Sequence, residues 1–341
     1  MVKRKDGRWQ QELTVTEHGR KRQRFFYGRT KAEVLRKIAD YKEQSEHGRP
    51  FDAVVSEWWE QHEPRLAYST RPGYERGKNR AVEHFGQTPI REIAPFHVSQ
   101  FMSAMVTRYD MAKKTAMNQK TVLDSIFSYA VQSGDVLYNP CVGISVPRDL
   151  KHEKRQMASS QDIQRIKDSV GCTFGLFAYM AMYTGMRKGE LLALTWTDID
   201  LTNRIIHVTK SLYTEHNKPM IKPPKTETGV RDIPILDKLY SVLVKQKRSK
   251  GPVFSKDGRY LTGKEYTVLY NMYRSESGVS CTAHQLRHTY ATMLFEANVA
   301  VKDAQRMLGH AQASTTQDVY TEMRKQRESV INESIRNIDI S

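Results

Sequence analysis

Four polar side chains in the last fifth of the 341-residue chain have the types needed to cut a phosphodiester bond. Residues 282–323 contain His284, Arg287, His310 and Tyr320 in that order. A tyrosine phenol becomes a nucleophile when a proton acceptor and positive charge lie near it. Guanidinium groups match phosphate oxygens with forked, permanently charged donors. The segment therefore indicates one half of an active site for DNA strand transfer.

The spacing of His284 and His288 also allows two other interpretations. An HxxxH pattern can bind zinc, but its metalloprotease form needs glutamate as general base after the first histidine, where this chain has Gln285. A pair of ordinary, hydrogen-bonded helix histidines is the second alternative. Taken alone, the motif favours catalysis and this plain interpretation about equally, so the rest of the chain decides.

Two additional residues, Arg187 and Lys225, lie upstream of this segment and complete a set of six candidate catalytic residues. Arg187 alone could be an ion-pair partner of Glu190, Lys225 a surface turn residue, and Tyr320 a packed phenol. Their joint occurrence on a strongly basic chain is what favours a phosphodiester site. The six are Arg187, Lys225, His284, Arg287, His310 and Tyr320.

The charge balance indicates a polyanionic partner. Lysine and arginine number 54 against 38 acidic residues, a formal net charge of +16, and the basic residues are spread through segments that look folded. A membrane surface is the rival of nucleic acid, but the chain has no long apolar run, signal peptide or lipidation motif. Double-stranded DNA is therefore the predicted partner, and no membrane association is expected.

The cysteines indicate a reducing compartment. Cys141, Cys172 and Cys281 are odd in number and widely spaced, so they predict neither a disulfide framework nor a CxxC metal site. Cys281 is interpreted as a packed apolar residue rather than a nucleophile. We therefore predict a cytoplasmic protein.

Residues 1–48 predict a small sheet followed by one helix. The alternating stretches RWQQELTV and RQRFFYGR are typical of strands, and Thr30 is a plausible N-cap for TKAEVLRKIADYKEQ. With a turn at Gly19, we expect one sheet face to pack on the helix and the opposite face to be basic. The residues expected on the packed face are Trp9, Leu13, Val15, Phe25 and Tyr27, against Val34, Leu35 and Ile38 of the helix. Arg22, Arg24 and Phe26 are expected on the opposite face, with Arg20 and Lys21 near the turn.

Such a basic sheet can lie in a DNA groove, and an ordinary solvated surface is the alternative. The predicted DNA-binding residues here are Arg20, Lys21, Arg22 and Arg24.

Residues 51–149 predict four or five helices, between linkers at SEHGRP and NPCVGISVPRDLKHEKRQ. The residues expected in the core are Trp58, Phe101, Val122, Ile126 and Phe127. Basic side chains could provide a face for DNA phosphates, although helix charges are often only solvated. The predicted DNA-binding residues are Arg71, Arg76, Lys78, Arg80, Lys113, Lys114 and Lys120.

From about residue 157 onward the pattern mixes helices with short strands. Ser159 or Ser160 can cap a first helix, and the apolar run FGLFAYMAMYTGM leads to Arg187. Strand-like stretches RIIHVTKSLY and MIKPPKTETGVRDIPIL follow, with Lys225 at a turn, and helices return from Lys238. The predicted fold class is mainly α with small β-sheets (α+β).

Residues 157–323 resemble the catalytic domain of the tyrosine recombinase (phage integrase) family. The resemblance rests on TGMRKGELLALTWTDID, on Lys225 in a hairpin before TGVRDIPI, on HQLRHTYAT, on LGH and on a tyrosine ten residues after His310. It implies a multidomain protein that integrates and excises a prophage or conjugative transposon. The implied domains are a small arm-binding domain (1–48), a helical core-binding domain (51–149) and a catalytic domain with its tail (157–341).

The resemblance also implies a role for each candidate catalytic residue. Tyr320 would attack the scissile phosphate and form a 3′-phosphotyrosyl bond. Arg187 and Arg287 would bind the non-bridging oxygens, and His284 and His310 would assist with proton acceptance and hydrogen bonding. Lys225 would protonate the departing 5′-oxygen. This scheme needs no metal, ATP or other cofactor.

The implied partners are core and arm DNA sites, a homotetramer of this chain, DNA-bending accessory proteins and an excisionase. The alternatives are a DNA-binding regulator without cleavage, a type IB topoisomerase-like enzyme and a chromosome-resolution enzyme. The tail carries Val330, Ile331, Ile335 and Ile338 at near-helical spacing. Packing on its own domain and packing on a neighbouring protomer are equally open for this tail.

Overall fold

A computed structural model describes most of the chain. The described residues are 1–17, 20–151, 157–224, 227–248, 250–309, 316–321, 323–325 and 327–328. Within them the chain forms two compact units, Met1–Glu153 and Lys154–Ser341. No helix in these ranges is both long and apolar enough to span a membrane.

The first unit opens with an antiparallel sheet in the order β1-β2-β3. Its elements are β1 (Val2–Lys3), β2 (Trp9–Glu17), β3 (Arg20–Gly28) and helix α1 (Lys31–His47). The backbone N–H of Glu33 donates to Thr30 Oγ1 at 3.1 Å, so Thr30 caps α1 as expected. Val34 of α1 is fully buried and Ile38 nearly so.

The pairing register of β2 and β3 corrects the expected faces of this sheet. Leu13 pairs with Arg24 and Gln11 with Phe26, so odd positions of β2 share a face with even positions of β3. Phe26 packs on Tyr41 of α1 with ring centroids 5.3 Å apart, whereas Phe25 is 42% exposed. Glu17 pairs with Arg20, and each step back along β2 is matched by one step forward along β3. Every odd-numbered residue of β2 therefore pairs with an even-numbered residue of β3.

Two further expectations are wrong, one about Arg24 of the sheet and one about Leu35 of α1. Arg24 lies on the side of α1, with its guanidinium carbon 4.7 Å from the centroid of the Tyr41 ring. Leu35, expected in the core, is 55% exposed. The side chains of Arg20, Lys21 and Arg22 lie outside the described part.

Four α-helices complete the described part of the first unit. Four or five were expected for residues 51–149. They are α2 (Phe51–His62), α3 (Arg71–Phe85), α4 (Pro95–Tyr109) and α5 (Lys113–Gln132), with 3₁₀ turns at Glu63–Arg65 and Ile90–Glu92. The expected core is confirmed, since each side chain is at most 2% exposed: Trp58, Phe101, Val122, Ile126 and Phe127. Apolar residues at helical spacing thus meet in one cluster.

The second unit packs its helices around α7, in which all ten residues are buried. Its helices are α6 (Ser160–Asp168), α7 (Gly175–Thr184), α8 (Lys188–Ala193), α9 (Asp237–Gln246), α10 (Gly263–Ser277), α11 (Ala283–Glu296) and α12 (Val301–Leu308). Ser159 caps α6, accepting from Asp162 N at 3.0 Å. A further helical stretch covers 316–321. The even hydrophobicity of α7 explains its central place.

Three small antiparallel sheets accompany these helices in the described part. The strands are β4 (Ile199–Asp200), β5 (Ile205–Val208), β6 (Ser211–Glu215), β7 (Lys218–Lys222), β8 (Arg231–Pro234), β9 (Ser255–Lys256) and β10 (Arg259–Tyr260), with 3₁₀ turns at Trp196–Asp198 and Glu227–Gly229. The sheet orders are β4-β5-β8, β6-β7 and β10-β9.

This topology corrects the expected hairpin around Lys225. β7 pairs with β6 and β8 pairs with β5, so the chain between Lys222 and Arg231 joins two sheets. Pro223 and Pro224 follow β7 directly and have no N–H to donate, so they cannot extend its ladder.

Candidate active site

A cleft of about 410 Å³ brings three of the six candidate catalytic residues together. Arg187 precedes α8, while His284 and Arg287 lie on α11, and all three line this cleft. Thr282 starts α11 by accepting from Gln285 N, and Gln285 Oε1 accepts from Thr282 N at 2.9 Å. Gln285 therefore serves as the capping partner that fixes where α11 begins.

Arg287 is held rigidly at the base of the site. It is 5% exposed, and its Nη1 donates to Gly185 O at 2.8 Å. Burial, reinforced by the positive charge of Arg187, lowers the pKa of Arg287 to about 9. The group therefore remains charged at neutral pH, in a place where water screens its charge poorly.

Arg187 is the accessible member of the arginine pair, since its side chain is 43% exposed. Its Nη1 donates to Glu190 Oε1 at 2.7 Å and its backbone N–H to Glu190 Oε2 at 2.8 Å. The ion pair with Glu190 that the sequence offered as an alternative is thus present, and it orients Arg187 at the cleft.

Glu190 pairs on its buried side with Arg231, a residue that sequence reasoning missed. Their side chains are 3% and 2% exposed, and Arg231 Nη2 donates to Glu190 Oε2 at 2.8 Å. Burial alone would raise the pKa of Glu190, but hydrogen bonds and charge from Arg231, with those from Arg187, hold it below its usual range.

The end of α12 ties the three arginines to one short piece of backbone. Its consecutive carbonyls accept hydrogen bonds from different guanidinium groups: Met307 O from Arg231 Nε at 2.8 Å, Leu308 O from Arg287 Nη2 at 2.6 Å and Gly309 O from Arg187 Nη2 at 2.6 Å. Carbonyls at a helix C-terminus carry partial negative charge and lack partners within the helix. We call this arrangement the three-arginine cap.

His284 and His288 form a pair within α11. Their Nε2 atoms lie 3.1 Å apart and their ring centroids 4.6 Å apart. One nitrogen must donate and the other accept, so at most one of these two rings carries a second proton in this geometry. A neutral imidazole has one lone-pair nitrogen, so a ring of this pair can take up a phenol proton only at a nitrogen that does not accept the bond between them.

Tyr320 does not line this cleft in the described conformation. It is 4% exposed, and its hydroxyl donates to Val299 O at 3.1 Å. Its ring meets Phe295 edge to face, with centroids 5.2 Å apart. Burial raises the pKa of the Tyr320 phenol, so the hydroxyl is protonated at neutral pH.

Lys225 and His310 lie outside the described residues. Lys222, which sequence reasoning did not single out, is a described cation that lines the same cleft. Its Nζ lies 4.7 Å from the centroid of the Tyr213 ring. The lining of the cleft therefore includes the positive charge of Lys222 as well as those of Arg187 and Arg287.

The predicted DNA-binding residues of α3 do not share one face. At about 100° per residue, Arg76 and Lys78 lie roughly 160° apart around the axis, on either side of the buried stripe of Gly77 and Ala81. Arg80 follows Arg76 and contacts the Tyr109 ring at 4.4 Å, while Lys78 contacts the Trp59 ring at 4.7 Å.

The remaining predicted contacts of this unit lie at the start of α3 and on α5. Arg71 Nε donates to Leu66 O at 3.4 Å. Lys113, Lys114 and Lys120 lie in the first half of α5, with Lys114 exposed and the other two half-buried. They stay predicted DNA contacts.

Comparison with known proteins assigns both halves of the chain to one kind of protein. Residues 153–327 match the phage integrase family, and residues 51–145 match the phage integrase central domain. The chain is 26% identical to a XerC-like tyrosine recombinase of Caldanaerobacter subterraneus subsp. tengcongensis, covering 93% of each protein.

Solved structures show the same fold. The Tn1549 transposon integrase in complex with a circular intermediate DNA superposes with a TM-score of 0.67 at 21% identity, covering 82% of this chain and 99% of that one. A lambda integrase tetramer bound to a Holliday junction superposes with a TM-score of 0.58 at 17% identity, covering 92% and 95%.

Proposed function

The chain belongs to the phage integrase family and is a site-specific DNA recombinase, and we propose that it integrates and excises a mobile element with Tyr320 as its nucleophile. The observation that carries this proposal is the cleft in which Arg187, His284 and Arg287 meet. Two guanidinium groups fixed beside an imidazole are suited to a phosphodiester whose negative charge increases in the transition state.

In the first chemical step, the Tyr320 oxygen attacks the scissile phosphorus and the bond to the 5′-oxygen breaks. The phenol proton passes to a neutral imidazole, a role for His284, which lines the cleft and is hydrogen-bonded to His288. Arg187 and Arg287 bind the non-bridging oxygens and stabilise the pentacoordinate transition state. Lys225 protonates the departing 5′-oxygen, and His310 donates a further hydrogen bond to the phosphate.

The second step reverses the first on a different strand. The 3′-phosphotyrosyl bond conserves the energy of the broken phosphodiester, so rejoining needs no nucleotide triphosphate. A 5′-hydroxyl of the partner duplex displaces Tyr320 and restores a phosphodiester. The cations needed for this chemistry are side chains of the chain itself.

For attack on a phosphate held by Arg187 and Arg287, Tyr320 must leave Val299. The hydrogen bond from its hydroxyl to Val299 O and the contact with Phe295 are made in the described conformation. A hydrogen bond of this kind contributes only about 1 kcal/mol net, so DNA contacts can offset its loss. The described conformation is thus a resting state of the nucleophile.

The DNA partner and the assembly follow from the same reasoning. Residues 1–48 hold an arm site, while residues 51–149 and 157–341 surround the core site, so linked modules gain affinity through effective concentration. Strand exchange between two duplexes needs a homotetramer, as in the lambda integrase tetramer on a Holliday junction. Bending proteins and an excisionase direct the reaction, and the recombinase works in the cytoplasm.

The experiment that tests this function is capture of a covalent protein–DNA adduct on a denaturing gel. The substrate is a duplex from the ends of the element, nicked near the scissile phosphate so that the cleaved strand diffuses away. We expect an adduct with the unmodified chain and with Tyr290→Phe, a buried tyrosine of the same cluster. Tyr320→Phe should bind the DNA but form no adduct.

Two outcomes would contradict the proposal. An adduct that persists in Tyr320→Phe would assign the nucleophile to another residue. Specific binding without any adduct, across several junctions and with the unmodified chain, would favour a DNA-binding regulator on the same fold.

A further inference from the structure

Arg231 is a charged residue that DNA cannot reach, because its side chain is 2% exposed. Its guanidinium group contacts three separate parts of the second unit. Nη1 and Nη2 bind the two oxygens of Glu190 at 3.2 and 2.8 Å, Nε binds Met307 O at 2.8 Å, and Nη1 also binds Gly229 O at 3.2 Å. Arg231 thus donates to all of these acceptors from a side chain that is almost completely buried.

Glu190 stands between this hidden arginine and the accessible one. The same carboxylate accepts from Arg187 Nη1 at 2.7 Å, and the Arg187 side chain is 43% exposed. A single carboxylate is therefore shared by two guanidinium groups, of which only Arg187 lines the cleft. Such sharing divides the counter-charge of Glu190 between them.

The balance of charge at the cleft depends on this sharing. Arg187, Arg231 and Arg287 carry three positive charges against the one negative charge of Glu190. Without Arg231, Glu190 would neutralise Arg187 alone, and the cluster would fall from two net positive charges to one. In a buried cluster such a change is poorly screened by solvent.

We propose that Arg231 is a positioning residue for strand cleavage: by binding Glu190 from the buried side, it leaves Arg187 oriented and positively charged towards the scissile phosphate. This inference rests on the proposed function. It deepens that function by assigning a role to a residue that does not touch DNA.

The effect should appear in the transition state rather than in DNA binding. The arginines interact most strongly with the charge on the two non-bridging oxygens when the phosphorus becomes pentacoordinate. DNA affinity, in contrast, is spread over many phosphate contacts along the duplex. Loss of Arg231 should therefore slow cleavage of bound DNA and change the dissociation constant little.

The test compares single-turnover cleavage by the full chain on two nicked substrates. One carries the natural scissile phosphate, and the other carries a methylphosphonate there, which has the same geometry without the negative charge. The variants are Arg231→Met, which removes the charge, and Arg231→Lys, which keeps the charge but cannot make the forked contact with Glu190 and Met307.

We expect Arg231→Met to lower the first-order rate on the natural phosphate by about 100-fold, as loss of one preorganised charge donor typically does. On the methylphosphonate the deficit should shrink by about ten-fold or more, because less charge has to be stabilised. Arg231→Lys should recover part of the natural rate. The dissociation constant for uncleaved DNA should stay within about three-fold in both variants.

A purely structural role gives a different pattern. Partial unfolding would lower the amplitude of the cleavage burst and would affect both substrates equally. Equal deficits on both substrates, an unchanged rate, or a deficit confined to DNA binding would each overturn the proposal. Should Arg231→Met fail to fold, Arg231→Lys alone makes the same comparison between substrates.

The unmodified chain separates this inference from the proposed function. If it forms no adduct on any junction, the function itself fails. If it forms the adduct and the Arg231 variants cleave both substrates as it does, only the role of Arg231 fails.

Discussion

The Tyr320 hydroxyl donates a hydrogen bond to the carbonyl of Val299, and Val299 lies two residues before α12, whose other end forms the three-arginine cap. Tyr320 and the three arginines therefore contact the chain at opposite ends of the same eight-residue helix. Because α12 is short, a shift at one end moves the other. We therefore expect the departure of Tyr320 from Val299 to be coupled to phosphate binding at Arg187 and Arg287.

Weakening the contact between Phe295 and Tyr320 should speed the departure of the nucleophile. We expect Phe295→Ala to raise the rate of adduct formation on saturating DNA, because the edge-to-face packing at 5.2 Å is lost. Single-turnover cleavage measures this rate. Phe174→Ala, in the other aromatic cluster of this unit, should lower stability without raising the rate. A slower reaction by a folded Phe295→Ala would contradict the prediction.

Removing the charge of Glu190 should destabilise the second unit strongly. Glu190→Gln leaves Arg187 and Arg231 close together without a counter-charge, which costs about 3 kcal/mol or more for a buried pair. The shift in the urea midpoint at constant slope reports this loss. The matched control is Asp237→Asn, which breaks an exposed pair with Arg204 in the same unit and should change the midpoint little. Similar shifts in both variants would sink the idea.

Gly309 should be intolerant of any side chain. Its φ is 64°, and a Cβ there would lie 2.8 Å from Arg231 Nη1, so Gly309→Ala should strain the backbone and push the guanidinium group from Glu190. Gly258→Ala is the control, because Gly258 has φ 75° and open space around it. We expect Gly258→Ala to cost about 1 kcal/mol without slowing cleavage, and Gly309→Ala to cost more and slow it. Equal losses would contradict a role for the Arg231 contact.

Alkaline pH should destabilise the chain through Tyr290. Burial raises the pKa of Tyr290 to about 12, above the ordinary value of 10.0 that it regains on unfolding. Stability from this group is thus complete below pH 10 and is lost as pH rises towards 12. Between pH 9 and 11 the unmodified chain should lose roughly 1.3 kcal/mol more than Tyr290→Phe, judged from urea midpoints. Parallel pH profiles of the two proteins would rule this out.

The predicted DNA contacts of α5 can be tested by salt dependence. Lys114→Gln and Lys120→Gln should each reduce the slope of log affinity against log salt by about 1, because one phosphate contact is lost. Arg108→Gln removes a charge of the same unit that is already paired with Glu83 at 2.8 Å, and should change the slope less. Unchanged slopes for both lysine variants would remove them from the interface.

The elements of the fold were largely predictable because helical periodicity is a local property. Apolar residues such as Phe101 and Ile126 recur at helix spacing and are buried together. The sheet faces of the first unit were not predictable, because a register shift of one residue exchanges the faces, and the pairing of Leu13 with Arg24 depends on the turn.

The residues of the candidate site also divide into those that the sequence predicted and those that only the structure shows. Motifs identified Arg187, His284 and Arg287, and the structure places them at one cleft. Sequence reasoning passed over Arg231 as one more basic residue. Arg231 lies two residues before Ile233, on the same buried face of β8. A charged residue at an inward-facing strand position was the signal that could have identified it. The contact of Tyr320 with a backbone carbonyl leaves no trace in residue types, so only coordinates reveal it.

The three-arginine cap also bears on the order in which the protein is made. Arg187, Arg231 and Arg287 leave the ribosome before Met307, Leu308 and Gly309, whose carbonyls hold them in place. Since chains fold from the amino-terminal end during synthesis, helices α3 and α5 can form while the phosphate site is still unassembled. The three guanidinium groups can therefore take up this arrangement only after residues 307–309 have been synthesised, however early the helices of the first unit form.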